Sequence, residues 1–155
     1  MSRRDAIRMS DAEAVAFLAE ERTLTCATLG PGGRPHLVPL WYVVEGTPEE
    51  PVLAAWTYAR SQKARNLERV PQATLQVEAG EVYAELRGWT AECDVELVRD
   101  PDAVAALGRA VLTRYGTPSA DVDAVVAAQA PKRLGMRFRP TRTASWDHRR
   151  LGGVY

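Results

Sequence analysis

The spacing of apolar residues changes period along the chain, and each change marks an element. Val15, Leu18 and Ala19 recur at helical spacing behind Ser10 and Glu13, a capping-box pair three residues apart, which predicts a helix over Asp11–Glu21. "TLTCATL" (Thr23 to Leu29) is short and rich in β-branched residues and predicts a strand, followed by the turn "GPGGRP". From His36 to Val44 both alternating faces are apolar, as in a strand buried on both sides, inside a closed barrel or at a subunit contact. Pro39 lies within this run and has no N–H to donate, so the strand is expected at an edge or open there. "VLAAWTY" predicts the third strand, "SQKARNLER" a short helix capped by Ser61 and stopped at Val70-Pro71, and "ATLQVE" the fourth strand, with a tight turn at "AGE".

The next run switches face. Val82, Ala84 and Leu86 are apolar at even positions; Trp89, Ala91, Cys93, Val95 and Leu97 are apolar at odd ones. A one-residue slip exchanges the faces of a strand, which predicts a long strand that bends or bulges at Gly88, or a break into two strands. Asp100-Pro101 opens a helix lined by Val104, Leu107, Val111 and Tyr115, and "ADVDAVVAAQA" predicts a second. "RLGMRFRP" and "TRTASWDH" alternate as two final strands around a turn at Pro140-Thr141. The sum is an α+β chain, mainly β: a six- to eight-stranded antiparallel barrel with attached helices, one domain over residues 1–155 with a core at 11–147 and a tail at 148–155.

Composition narrows the class. At 155 residues, 46% hydrophobic and 26% charged, the chain is long enough for one core without disulfide staples. Cys26 and Cys93 belong to no metal or redox spacing and are expected as buried thiols. The N-terminus lacks an unbroken apolar stretch and no run reaches the length of a membrane span, so a cytoplasmic protein with no membrane partner is expected. A formal net charge of zero argues against nucleic acid as a partner. The charge is nevertheless uneven: basic segments at Arg60–Arg69 and Lys132–Arg150 flank an acidic middle, a pattern that suits a specific anionic ligand.

The sharpest chemistry lies in "WTYARSQKARNLERVPQA" (Trp56 to Ala73). The free N–H groups of a helix start favour anions, and here the Ser61 hydroxyl, the Lys63 ammonium and nearby Arg60 and Arg65 join them. A cation in that place opposes the helix dipole by about 0.3–1 kcal/mol, a conflict that a bound anion removes. A phosphate site and a Ser-capped surface helix with a solvated basic face both fit these residues. Trp41, Trp56, Trp89 and Trp146 are candidates either for the walls of a ring pocket or for the core. His36 and His148 read as surface or hydrogen-bonded residues rather than proton donors, and no nucleophile or metal motif is present.

"WTYARSQKARNLERVPQATLQVE" resembles the strand–Ser-x-Lys-x-x-Asn-Leu–Pro-x-Ala–strand segment of the flavin and deazaflavin split-barrel family related to pyridoxamine 5'-phosphate oxidase. "FLAEERTLTCATLGPGGRPHLVPLWYVV" and "RGWTAE" resemble the same family, over roughly residues 11 to 147, with the branch that uses the deazaflavin coenzyme F420 nearest in character. The resemblance implies a split barrel and a homodimer with cofactor sites at the interface. It implies an oxidoreductase passing hydride from reduced F420 to a conjugated or quinone-like small molecule, with no catalytic side chain needed. Ser61 and Lys63 match the phosphate-holding positions, Trp56 and Thr57 the strand beside phosphate and ring, and Asn66 a motif residue of the helix. The backbone at Val38, Pro39 and Leu40 matches the strand that meets the ring edge, and Tyr83 a position from which the partner subunit reaches the cofactor. Arg60 is a candidate for steering an anionic tail, and Trp146 for covering the partner's site. FMN is the alternative cofactor, and a non-catalytic protein holding F420, flavin or haem the alternative function. Arg149 and Arg150 do not match the arginine signature of the vitamin B6 oxidases, so that activity is not implied.

Overall fold

The computed structural model describes residues 2–116 and 121–152, Arg3 by its backbone alone. A first short helix, α1 (Arg3–Ile7), precedes α2 (Asp11–Glu20), where the Ser10–Glu13 capping box forms as its sequence predicts. The strands are β1 (Leu24–Leu29), β2 (Pro35–Leu40), β3 (Val43–Gly46), β4 (Pro51–Tyr58), β5 (Gln72–Ala79), β6 (Arg87–Val98) and β7 (Arg133–Asp147). Between them lie α3 (Gln62–Arg69), α4 (Pro101–Tyr115) and α5 (Val122–Gln129). Ala120, at the start of the predicted second helix, and residues 153–155 of the tail lie outside the described residues.

Among the described residues, seven strands form one antiparallel sheet in the order β2-β1-β5-β6-β7-β4-β3. Its two edges are β2 and β3, which are consecutive in the chain and separated only by Trp41 and Tyr42. A sheet whose opposite edges are two residues apart must curl on itself, and that curl makes the split barrel. Three expectations change here. The run His36–Val44 is two edge strands rather than one; Pro39 does lie at an edge. Even positions of β1 and β2 face the core, with Leu24, Cys26 and Thr28 buried, while Leu29 and Leu37 on the other face stay exposed, so the run is not buried on both sides within one chain.

The second change is at Val82–Leu86, which is a loop with a 3-10 turn at Tyr83–Glu85, so no strand bends at Gly88. Gly88 is required for another reason: a Cβ there would fall 2.0 Å from the Trp146 ring. The third is β7, one strand across the predicted turn, where the register shifts between Glu92 and Cys93 and Thr141 is the extra residue, a bulge. Pairing with β6 along twelve residues outweighs the local turn signal of Pro140, and the β4–β7 pairing has already ended at Phe138.

β4 separates two cores. Leu53 and Ala55 face the barrel interior with Leu18, Tyr42, Leu75, Trp89 and Phe138. Ala54 and Trp56 face outward, against Val104, Leu107 and Val111 of α4 and Val126 of α5. Trp56 fits there because position 108 is glycine; a Cβ would meet its ring at 2.3 Å.

Candidate functional site

Strand alternation places neighbouring residues of β4 on opposite faces, and at its end this brings two cations together from different sides. Thr57, inward, is buried; its hydroxyl accepts from Lys63 Nζ at 3.0 Å and donates to Ser61 Oγ at 3.4 Å. Ser61 Oγ in turn accepts from the Ala64 N–H at 3.3 Å as the N-cap of α3. On the outward face, Arg133 lies opposite Tyr58 in the β4–β7 ladder. Its guanidinium stacks over Tyr58 at 4.3 Å and over Trp56 at 4.5 Å. Its Nη2 donates to Gln129 Oε1 at 2.6 Å.

Lys63 and Arg133 line one cleft of about 590 Å³ with Pro39, Leu40, Trp41, Trp56, Thr57 and Tyr58, over Val111 and Leu112 of α4. Among the described residues neither cation forms an ion pair. Arg133 Nε is buried with no acceptor from the protein. An unmet buried donor costs about 1–3 kcal/mol, more on a charged group, and a ligand that supplies an acceptor removes that cost. Burial lowers the Lys63 pKa below the ordinary lysine value, partly opposed by Cys26 and reinforced by the Arg133 charge. The cleft therefore favours an anion that returns charge balance to both groups.

The sequence-predicted residues divide into groups. Pro39, Leu40, Trp56, Thr57 and Lys63 meet in this cleft, with Ser61 bonded to Thr57 beside it. Val38 points inward against the barrel core. Arg60 is exposed just before α3. Asn66 is fully buried: its Nδ2 donates to Thr28 and its Oδ1 accepts from Gln62, which fixes α3 onto β1. Tyr83 and Trp146 lie away from this cleft in the same chain. Tyr83 packs on His148 with ring centroids 4.5 Å apart, and Trp146 lines a separate groove with Arg4, Arg8 and His148. Cys26 and Cys93 are buried free thiols whose pKa is pushed up to about 12 by burial, so neither is a ready nucleophile. The sequence reading missed Arg133, which it had grouped with the basic tail; only its cross-strand position opposite Tyr58 reveals it.

The family model described as pyridoxamine 5'-phosphate oxidase matches residues 10–147. The chain belongs to the pyridoxamine 5'-phosphate oxidase family. Among solved structures of this split-barrel type, a conserved hypothetical protein from Mycobacterium tuberculosis is 40% identical, covers 100% of this chain and 95% of its own, and superposes with a TM-score of 0.88. A structure named F420 reductase is 24% identical over 83% of this chain and 94% of its own, with a TM-score of 0.67. HutZ, the haem storage protein from Vibrio cholerae, is 18% identical over 89% of this chain and 94% of its own, also at 0.67. No curated protein matches the chain. At 24% and 18% identity the last two structures share the fold. In this member of the pyridoxamine 5'-phosphate oxidase family the strand end that carries Thr57, the N-cap Ser61 and Lys63 form one hydrogen-bonded unit.

Proposed function

We propose that this chain is an oxidoreductase that holds coenzyme F420 in the cleft at the end of β4 and reduces a conjugated or quinone-like small molecule there. One observation carries the reading: Lys63 is a half-buried ammonium at a helix start, tied to Thr57, with no carboxylate partner among the described residues. That donor set suits a phosphate, which takes several N–H or O–H groups and one or two full charges. The Ser61 hydroxyl and Lys63 would hold the phosphate, and Arg133 Nε a further anionic oxygen. Pro39 and Leu40 would bound the ring along the β2 edge. Bound there, the deazaflavin supplies the hydride. The chain orients the ring, compensates the phosphate charge and excludes water with the apolar floor of Val111 and Leu112.

We further infer a homodimer. The outward face of β1 and β2 exposes Leu29 at 42% and Leu37 at 61%, an apolar surface that a second copy would cover. From such a copy, Tyr83 and Trp146 would approach the site that they do not reach within their own chain. The reading leads to a fluorescence titration with F420, with FMN and with haem, in the wild type and in Lys63→Ala. F420 binding should weaken roughly tenfold to a hundredfold in the variant, as for loss of a charged hydrogen bond. Preference for FMN would transfer the site to flavin, haem binding alone would make it a store, and indifference to all three would overturn the proposal.

A further inference from the structure

Trp41 occupies the two-residue link between β2 and β3 and is 52% exposed. The core has no need of it, because Tyr42 beside it is fully buried and donates to the Leu18 carbonyl at 2.6 Å. A tryptophan in so short and open a link would sample several rotamers. Instead its ring lies on that of Tyr115, at the end of α4, with centroids 4.5 Å apart and planes within 6°. Tyr115 is itself fixed. Its hydroxyl accepts from the Tyr42 N–H and lies against the Tyr42 carbonyl, both at 3.0 Å, so the ring behind Trp41 is anchored to the residue next to Trp41. The guanidiniums of Arg114 and Arg22 stand 5.2 and 5.5 Å from the Tyr115 ring centre. Trp41 lines the cleft and Tyr115 does not, which places the tyrosine behind and the open side of the indole toward the cleft. Of the other two aromatic residues there, Trp56 is buried, and Arg133 lies over one face of both Trp56 and Tyr58.

We propose that Trp41, with Tyr115 as its positioning residue, is a stacking platform for a planar, electron-poor conjugated ring. A ring held in place beforehand binds without the entropy cost of ordering it, and the electron-rich indole favours an electron-poor partner. The inference rests on the redox reading of the cleft, since a hydride acceptor is electron-poor by nature. The ring belongs either to the molecule being reduced or to the cofactor, and two probes separate these sources.

Equilibrium binding of the naphthoquinone menadione and, separately, of F420 is measured without turnover in the wild type, Trp41→Leu, Trp41→Phe, Tyr115→Leu and Lys63→Ala. Loss of the stack should weaken menadione roughly tenfold in Trp41→Leu, within the range that ring stacking supplies. Trp41→Phe should restore most of it, and Tyr115→Leu should lose several-fold. A long-wavelength charge-transfer band should accompany menadione binding and vanish in Trp41→Leu. If F420 loses affinity in Trp41→Leu while menadione does not, the platform stands and serves the cofactor ring. Unchanged binding of both probes in Trp41→Leu, or no binding of either to the wild type, overturns it. So does a change of sedimentation mass in Trp41→Leu, which would make this surface an interface between copies. Failure of the F420 reading is seen in a different place, as F420 binding that is absent in the wild type or indifferent to Lys63→Ala.

Discussion

The arginines from Arg137 to Arg150 and the two cations of the cleft carry the same charge in different surroundings. Arg137 meets Glu45 at 2.9 Å, Arg139 meets Glu96 at 3.3 Å, Arg142 meets Glu92 at 3.6 Å, and Arg149 meets Asp147 at 2.7 Å. Arg150 reaches back to Glu13 of α2. Most of the basic tail that stands out in the sequence is thus neutralised in space by acids from β3, β6, β7 and α2. Lys63 and Arg133 have an amide, a hydroxyl and aromatic faces for company instead. Counting charges along the chain ranks the tail first; counting partners ranks the cleft first, and only the second measure predicts where an anion gains from binding.

The largest test makes the cleft resemble the tail. Gln129→Glu gives Arg133 a carboxylate at the position of the present 2.6 Å hydrogen bond. Affinity for a phosphate-bearing ligand should fall about tenfold or more by isothermal titration, since a fixed negative charge now competes. A pH series sharpens the contrast next. Burial holds the Lys63 pKa below the ordinary value, and the bound anion needs the ammonium, so affinity is full at lower pH and declines as pH rises through that lowered pKa. The decline should begin below about 10.4, at roughly tenfold per pH unit, whereas a site built on arginine alone would stay flat there.

Stability should move the opposite way in the two regions. The unliganded protein carries Lys63 charged at a penalty, because the unfolded chain binds that proton more readily, and stability therefore rises with pH across the same window. Lys63→Met should raise the melting temperature of the unliganded protein while removing anion binding. Glu45→Gln should lower it by no more than about 2 °C, since the Arg137–Glu45 pair is partly solvated. The smallest effect is expected for Arg142→Ala, whose side chain is 80% exposed: within about 0.5 kcal/mol in denaturant unfolding, with ligand affinity unchanged.

Much of this was legible where local chemistry decides. The Ser10 and Ser61 caps, the Pro101 helix start and the odd-position run Trp89–Val95 needed only neighbours a few residues away, and they formed as read. The cleft was half legible for the same reason: Thr57, Ser61 and Lys63 lie within seven residues and are joined by a strand end and one helical turn. What escaped depended on distant pairing. Nothing in "PLWYVV" marks a strand boundary; the break at Trp41–Tyr42 exists because the curled sheet needs both edges there, locked by Tyr115 and Arg114 some seventy residues on. Pro140-Thr141 reads as a turn until β6 is laid beside it. Arg133 belongs to the cleft only through Tyr58, seventy-five positions earlier.

The prolines of the edge strand carry a consequence for self-association. Any bare strand edge invites a foreign strand to continue the ladder, the first step toward amyloid-like stacking. β2 spans six residues, of which Pro35 and Pro39 have no N–H, so an incoming strand would find a broken row of donors. The same residues that keep this border from recruiting neighbours leave apolar side chains such as Leu37 exposed on its face. Association at this place is thereby restricted to side-chain packing, which can be selective and finite where strand addition has no natural end.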